Sequence, residues 1–299
     1  MLTPFPDRAR INIPPALAGE LLEGAERLPL YENKDFYSPA LQAFVYSSVR
    51  EAYPDGFDWV VNLIKERIAQ WPYCVLVQGL RFDERHRLFV ALNRAFGELV
   101  GLPYEEPRAQ LVHYIQPATD IRSSRGGLEV ERLHTDAVDW QIPIDFISMT
   151  CVRPDAGGGG RSRVLDLDAI RDEVKTHLGT DTLELLETEP VPWQLHACWG
   201  GGLKWRPVLS ESSICWRRYT INLALDVNGA KLSDEMLASL DAFEEVISAS
   251  PHIMDFMLQE GELLFSDNRK QIHSRTAIAA GDASNRLMIR SWINSSGVE

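Results

Sequence analysis

From His134 onward the chain is cut into short apolar runs by clusters of turn-forming residues, and this rhythm limits its fold more than any other feature. Residues 144–152, 163–167, 219–225, 261–266, 271–278 and 286–293 each predict a strand. Helices interrupt the series twice. Asp168 is the expected cap of one that ends near Leu178, and Ser233 of a longer one that runs through Leu258 and breaks near Pro251. Many short strands with long insertions predict a barrel or sandwich rather than a parallel α/β sheet.

The first half reads as scaffold. Val60, Val61, Ile64 and Ile68 recur at helical spacing until Pro72 stops the pattern, residues 73–77 follow as a buried strand, and Gly79 closes it. Asp83 is placed to cap a second helix whose stripe includes Phe89, Leu92, Phe96 and Leu99, with Gly101 just past its end. Residues 110–115 have strand character. The polar stretch 116–127, containing Gly126 and Gly127, reads either as a lid or as a plain surface excursion. Gly157 to Gly160 resembles a phosphate-cradling loop only superficially, because no Lys-Ser/Thr follows, and a tight turn is expected instead.

A chain of 299 residues with 45% apolar content can bury a sizeable core without a staple, and no linker divides it, so one domain over 1–299 is expected. The charge of 30 basic less 43 acidic residues, −13, offers no field for phosphate backbones or anionic membranes, so neither nucleic acid nor membrane is an expected partner. No apolar run approaches the ~20 residues needed to cross a bilayer. The first ten residues carry Asp7, Arg8 and Arg10 rather than an apolar signal core, and the expected location is the cytoplasm. Cys74, Cys151, Cys198 and Cys215 are widely spaced and form no C-x-x-C pair, which fits free thiols in a reducing compartment.

Chemistry concentrates in three places. Leu133-His134-Thr135-Asp136 sets an imidazole and a carboxylate two residues apart, so an extended backbone sends both to one face, as half of a three-ligand metal site. Alone, such a pair is weak evidence. In the tail, an apolar strand enters the polar turn Asp267-Asn268-Arg269-Lys270 and returns carrying a single histidine, His273. Next, Arg286 and Arg290 lie four apart on an otherwise apolar strand and therefore share a face, where two buried guanidinium groups require anions.

These motifs resemble the taurine dioxygenase and clavaminate synthase-like branch of the iron(II)/2-oxoglutarate oxygenases. The resemblance rests on His134-Thr135-Asp136, Gly159-Gly160-Arg161-Ser162, Asp267-Asn268 with His273, and Arg286 beyond it, with a weaker echo in Arg206-Pro207-Val208-Leu209 and Arg218-Tyr219. It covers roughly residues 70–295, leaving residues 1–70 as a divergent N-terminal scaffold of helices and short strands. It implies a mainly β fold with flanking helices and a double-stranded β-helix (jelly-roll, cupin-like) core. His134, Asp136 and His273 would bind Fe(II). Arg286, with Ser162, would hold 2-oxoglutarate, and O2 would be the oxidant. The substrate would be a small molecule, such as an amino acid or an acidic natural-product intermediate, that is hydroxylated, desaturated or cyclised with release of succinate and CO2. Family halogenases replace the carboxylate ligand with a small residue, so Asp136 disfavours halogenation.

Alternatives stay open at this level. Arg290 faces either the substrate or an internal carboxylate such as Asp267. Gln110, His113 and Trp140 are candidate substrate contacts, with core packing as the competing role of each. The same chemistry on a protein or carrier-tethered residue, a non-catalytic barrel for acidic ligands, and a zinc hydrolase compete as functions. Oligomeric state is not legible.

Overall fold

The computed structural model describes residues 3–106, 109–117, 131–278 and 285–295. Its strands are β1 (Arg10–Asn12), β2 (Cys74–Gln78), β3 (Glu98–Val100), β4 (His113–Ile115), β5 (Glu131–His134), β6 (Phe146–Arg153), β7 (Ser162–Asp166), β8 (Val191–Gln194), β9 (Leu203–Arg206), β10 (Met254–Phe256), β11 (Leu263–Asp267), β12 (Gln271–Arg275) and β13 (Leu287–Asn294). The helices are α1 (Pro15–Glu26), α2 (Pro39–Ala52), α3 (Pro54–Ile68), α4 (Arg87–Arg94), α5 (Leu167–His177), α6 (Thr180–Thr188), α7 (Arg218–Asn228) and α8 (Asp234–Ala249). Proline opens α1, α2 and α3, where its fixed φ suits the first turn and its missing N–H costs nothing.

A larger sheet runs β1-β2-β11-β6-β13-β3, with β4 also paired to β13, and a smaller one runs β10-β7-β12-β5. All these pairings are antiparallel except β1 with β2. Alternation along the strands sorts their side chains into layers. Val75 and Val77 of β2, Leu263 and Phe265 of β11, and Ile289 and Ile293 of β13 pack beneath α1–α4. Their neighbours Leu76, Leu264 and Met288 face inward, where they meet Val164 and Met254 of the smaller sheet. On the far side, Leu165 and Ile272 join α5, α7 and α8. With Ile272 directed to this outer layer, His273 must point between the sheets.

Several sequence expectations need correction. Residues 219–225 are not a strand but lie in α7. Their apolar residues alternate, yet the chain buries Thr220, Ile221 and Ala224 on one helical face, leaves Tyr219 at 69% exposure, and closes the helix with left-handed Gly229. The last long helix stops at Ala249, and residues 254–256 form β10 against β7. The cap of α5 is Asp166, which accepts from the Ala169 N–H, while Asp168 sits inside the first turn. The helix after Asp83 spans only Arg87–Arg94, so Phe96 lies beyond it and Leu99 falls in β3. The strand predicted over 271–278 ends at Arg275. Gly157 to Gly160 form a tight turn around the Asp155 carboxylate, as expected. The stretch 116–127 falls largely on residues 118–130, which lie outside the described ones. Among the described residues no helix is long and apolar enough to cross a membrane.

Asp83 still organises the start of α4. Its carboxylate accepts from the backbone N–H groups of Arg85, Arg87 and Leu88 and from Arg87 Nε at 2.9 Å, and both side chains are at most 5% exposed. Removing one partner of such a pair strands the other's charge. Asp83→Ala is therefore expected to destabilise the fold by about 3–5 kcal/mol, read from the urea midpoint at unchanged slope; a loss below about 1 kcal/mol would deny the pair this role.

Candidate metal and co-substrate site

His134 is the last residue of β5, Thr135 and Asp136 follow it directly, and the segment is tied down at several points. Thr135 N–H donates to the Trp216 carbonyl at 2.7 Å, and Trp216 N–H donates to Thr135 Oγ1 at 3.0 Å. Asn268, from the turn between β11 and β12, accepts from the Asp136 N–H at 2.9 Å and donates to the carbonyls of Asp136 and Ile144. Immediately afterwards Ala137 turns the chain with φ of 56°, a left-handed conformation that costs a non-glycine residue about 1–2 kcal/mol. The strand thus ends abruptly, and both motif side chains project into the space between the sheets.

His273 stands opposite His134 in the β12–β5 register. His134 Nε2 lies 3.4 Å and His273 Nε2 3.9 Å from Asp136 Oδ1, and one donor atom from each of the three residues lies within 4.8 Å of the others. His134 Nδ1 is 2.8 Å from the Arg132 carbonyl. That contact assigns the proton to Nδ1 and leaves the Nε2 lone pair toward the cluster. Asp136 divides its oxygens similarly, since Oδ2 accepts from Arg290 Nη1 and from Trp292 Nε1, both at 2.8 Å, while Oδ1 faces the imidazoles.

Protonation follows the same geometry. Burial opposes the Asp136 carboxylate, but Arg290 and the two histidines outweigh it and hold the pKa well below the usual range. Burial also opposes a charged His134, yet Glu131 and Asp136 prevail and raise its pKa. For His273, burial and then the His134 charge act together and push the pKa to about 4. Two imidazole nitrogens and one carboxylate oxygen on one side of a point make a donor set suited to Fe(II) with open positions. The residues present therefore fit the metal.

Arg286, just before β13, fits the second requirement. It is 4% exposed, makes no ion pair among the described residues, and burial followed by neighbouring Arg275 lowers its pKa to about 10. A buried guanidinium beside another guanidinium is a strong site for an anion. Gly160 makes room for it: with φ of 67°, its position would bring a Cβ to 2.7 Å from Arg286 Nε and 2.9 Å from Cδ. Ser162, Arg286, Arg290, Asp136 and His273 all line one cavity of about 280 Å³.

The remaining candidates divide. Trp140 lines the cavity and meets Trp292 edge to face, with ring centroids 5.2 Å apart. Arg290 also lines it, and its internal partner is Asp136 rather than Asp267. His113 is fully buried against Trp292, with ring centroids 4.5 Å apart, and is not a lining residue; nor is the half-buried Gln110. Sequence reasoning missed Glu131, Asp139, His196, Arg217 and Arg275 on the cavity wall. Arg275 carried a signal, because it lies two residues beyond His273 on the same strand.

The model of the family described as "Taurine catabolism dioxygenase TauD, TfdA family" matches residues 57–292. No curated protein matches at the level of sequence. Among solved structures, an asparagine oxygenase in complex with Fe(II), 2S,3S-3-hydroxyasparagine and succinate is similar at 15% identity, over 96% of this chain and 94% of that one, with a TM-score of 0.74. The non-haem iron oxygenase OrfP in complex with Fe and alpha-ketoglutaric acid matches at 18% identity over 96% and 93% of the two chains, also with a TM-score of 0.74. At these identities the likeness carries the fold, a jelly-roll core with flanking helices. Fold and donor set define an iron(II)- and 2-oxoglutarate-dependent oxygenase. The chain belongs to the TauD, TfdA family.

Two outcomes follow. Gly160→Ala is expected to weaken 2-oxoglutarate binding by about tenfold, roughly 1.4 kcal/mol, by displacing Arg286, while Fe(II) affinity in calorimetry is unchanged. Because Glu131 and Asp136 raise the pKa of His134, a proton competes with the metal for its Nε2 as the solution acidifies, and Fe(II) affinity is expected to fall as pH drops from neutral to mildly acid. His273, its pKa pushed to about 4, adds little to that slope, and a calorimetric Fe(II) affinity unchanged over this interval would deny His134 this effect.

Proposed function

We propose that the chain oxidises a small amino acid or related acidic molecule, hydroxylating, desaturating or cyclising it, with His134, Asp136 and His273 as iron ligands and Arg286 with Ser162 as the 2-oxoglutarate anchor. The observation that carries this reading is the cavity of about 280 Å³ lined by Asp136, His273, the buried Arg286 and Arg290, with His134 Nε2 behind its wall 3.4 Å from Asp136 Oδ1. That volume sits at the small end of ligand sites and suits a compact substrate beside the co-substrate. Bound iron supplies the oxidising chemistry: in a hydroxylation, O2, 2-oxoglutarate and a C–H bond yield succinate, CO2 and a C–OH group.

The chain's own residues do the positioning. Arg286 takes the far carboxylate of 2-oxoglutarate in a fork that an ammonium group could not reproduce. Arg290 fixes Asp136 Oδ2 through Nη1 and also lines the cavity, where its guanidinium can attract an acidic group on the substrate. Glu131 and Asp139, on the same wall, offer a place for an amino group. Trp140 and Trp292 close one side and exclude water. The 3-hydroxyasparagine of the similar asparagine oxygenase complex, and the (3S)-hydroxy-L-Arg held with Fe and succinate in another OrfP complex, are in keeping with a substrate of this size.

The test is incubation of the iron-loaded protein with 2-oxoglutarate and a panel of amino acids and acidic metabolites, scoring succinate and products heavier by one oxygen or lighter by two hydrogens. Turnover only of carrier-tethered substrates would reject the small-molecule reading. Arg286→Ala should cost about 2–3 kcal/mol of 2-oxoglutarate binding with the fold intact, and an unchanged affinity would force a different anchor.

A further inference from the structure

A second group of metal-type donors lies at the edge of the oxygenase cavity. Glu106, His196 and Cys198 each offer one ligand atom within 4.8 Å of the other two, and all three side chains are half-buried. They come from two separate segments, Glu106 on one and His196 with Cys198 on the other, each held by its own turn. Glu106 N–H donates to the Pro103 carbonyl, and the Glu106 carbonyl accepts from Ala109. His196 N–H donates to the Asp139 carbonyl at 2.8 Å, and a short 3-10 turn, Ala197–Trp199, sets His196 and Cys198 side by side with Nδ1 2.9 Å from Sγ. We propose that Glu106, His196 and Cys198 form a second metal site, selective for a soft or borderline divalent cation such as Zn²⁺ and distinct from the iron ligands.

The donor chemistry selects the ion. A thiolate, an imidazole and a carboxylate are the zinc-binding types, whereas the iron cluster contains no sulfur. The 2.9 Å contact between Nδ1 and Sγ is a thiol hydrogen bond whose proton the metal replaces. Zn–S and Zn–N bonds in tetrahedral geometry set the two donors about 3.5 Å apart, so a small rotation of either side chain opens the pair. Burial and the negative charges of Glu106 and Asp139 disfavour a bare thiolate at Cys198, and a divalent cation neutralises that field. Three protein donors leave a fourth position for water. Occupied, the site clips the Glu106 segment to the turn carrying Trp199, whose ring lies 5.8 Å from that of Trp140 on the cavity wall.

Cobalt(II) separates the two sites, because only cysteine coordination gives a thiolate-to-cobalt charge-transfer band in the near ultraviolet. Titration of the metal-free full chain with Co²⁺ is expected to show two equivalents, one accompanied by this band, and Zn²⁺ should abolish it. The band should persist in His134→Ala, vanish in Cys198→Ser, and require at least about tenfold more cobalt in Glu106→Gln. A single equivalent without the band, or a band that survives Cys198→Ser, overturns the proposal. Circular dichroism of each variant identifies any that fail to fold, and the Glu106→Gln titration then decides in place of a misfolded Cys198→Ser.

Discussion

The arrangement depends on how the Asp136 carboxylate is shared. One oxygen is committed to Arg290 and Trp292, so the other is left with a fixed direction, toward His134 and His273. A buried carboxylate without those donors would favour protonation, and a protonated acid is a poor metal ligand. The two hydrogen bonds therefore set charge and orientation together. Asn268 adds the backbone half of the restraint by pinning the Asp136 main chain to the opposite turn.

The division of labour between the two sheets follows from simple alternation. The larger sheet supplies Arg290 and Trp292 from β13, the smaller one supplies His134 and His273, and helices seal the outer face of each. The reacting groups thus project from strand ends and inner faces that cannot move independently of the core. The lining residues from longer connections, Asp139, His196 and Arg217, vary the cavity without disturbing this frame.

Much of this frame was legible because its signals are local or strictly periodic. His134 and Asp136 share a side of an extended segment, His273 alternates with apolar Ile272, and Arg286 and Arg290 lie an even number of residues apart. Other features were not legible because their cause is distant. Residues 219–225 alternate like a strand, yet the surface they pack against rewards a helical stripe through Ile221 and Ala224. Asp139, His196 and Arg217 meet only because separate connections fold onto one wall. Gly160 reads as a turn residue, and that its missing side chain clears the path of a guanidinium more than a hundred positions later emerges only in three dimensions.

The strand β13 carries a last consequence. Met288, Arg290 and Trp292 face inward on successive pleats, and Arg286 precedes them on the same side, so the buried guanidinium proposed as the co-substrate anchor, the clamp on Asp136 and the aromatic wall share a single reading frame. Inserting or deleting one residue among them would turn those on one side of the change toward the helices and bring residues of the complementary face, such as Ile289 or Ile293, to the cavity. A change of length within this strand would therefore part the three from one another, whereas exchange of one side chain would leave the other two in place.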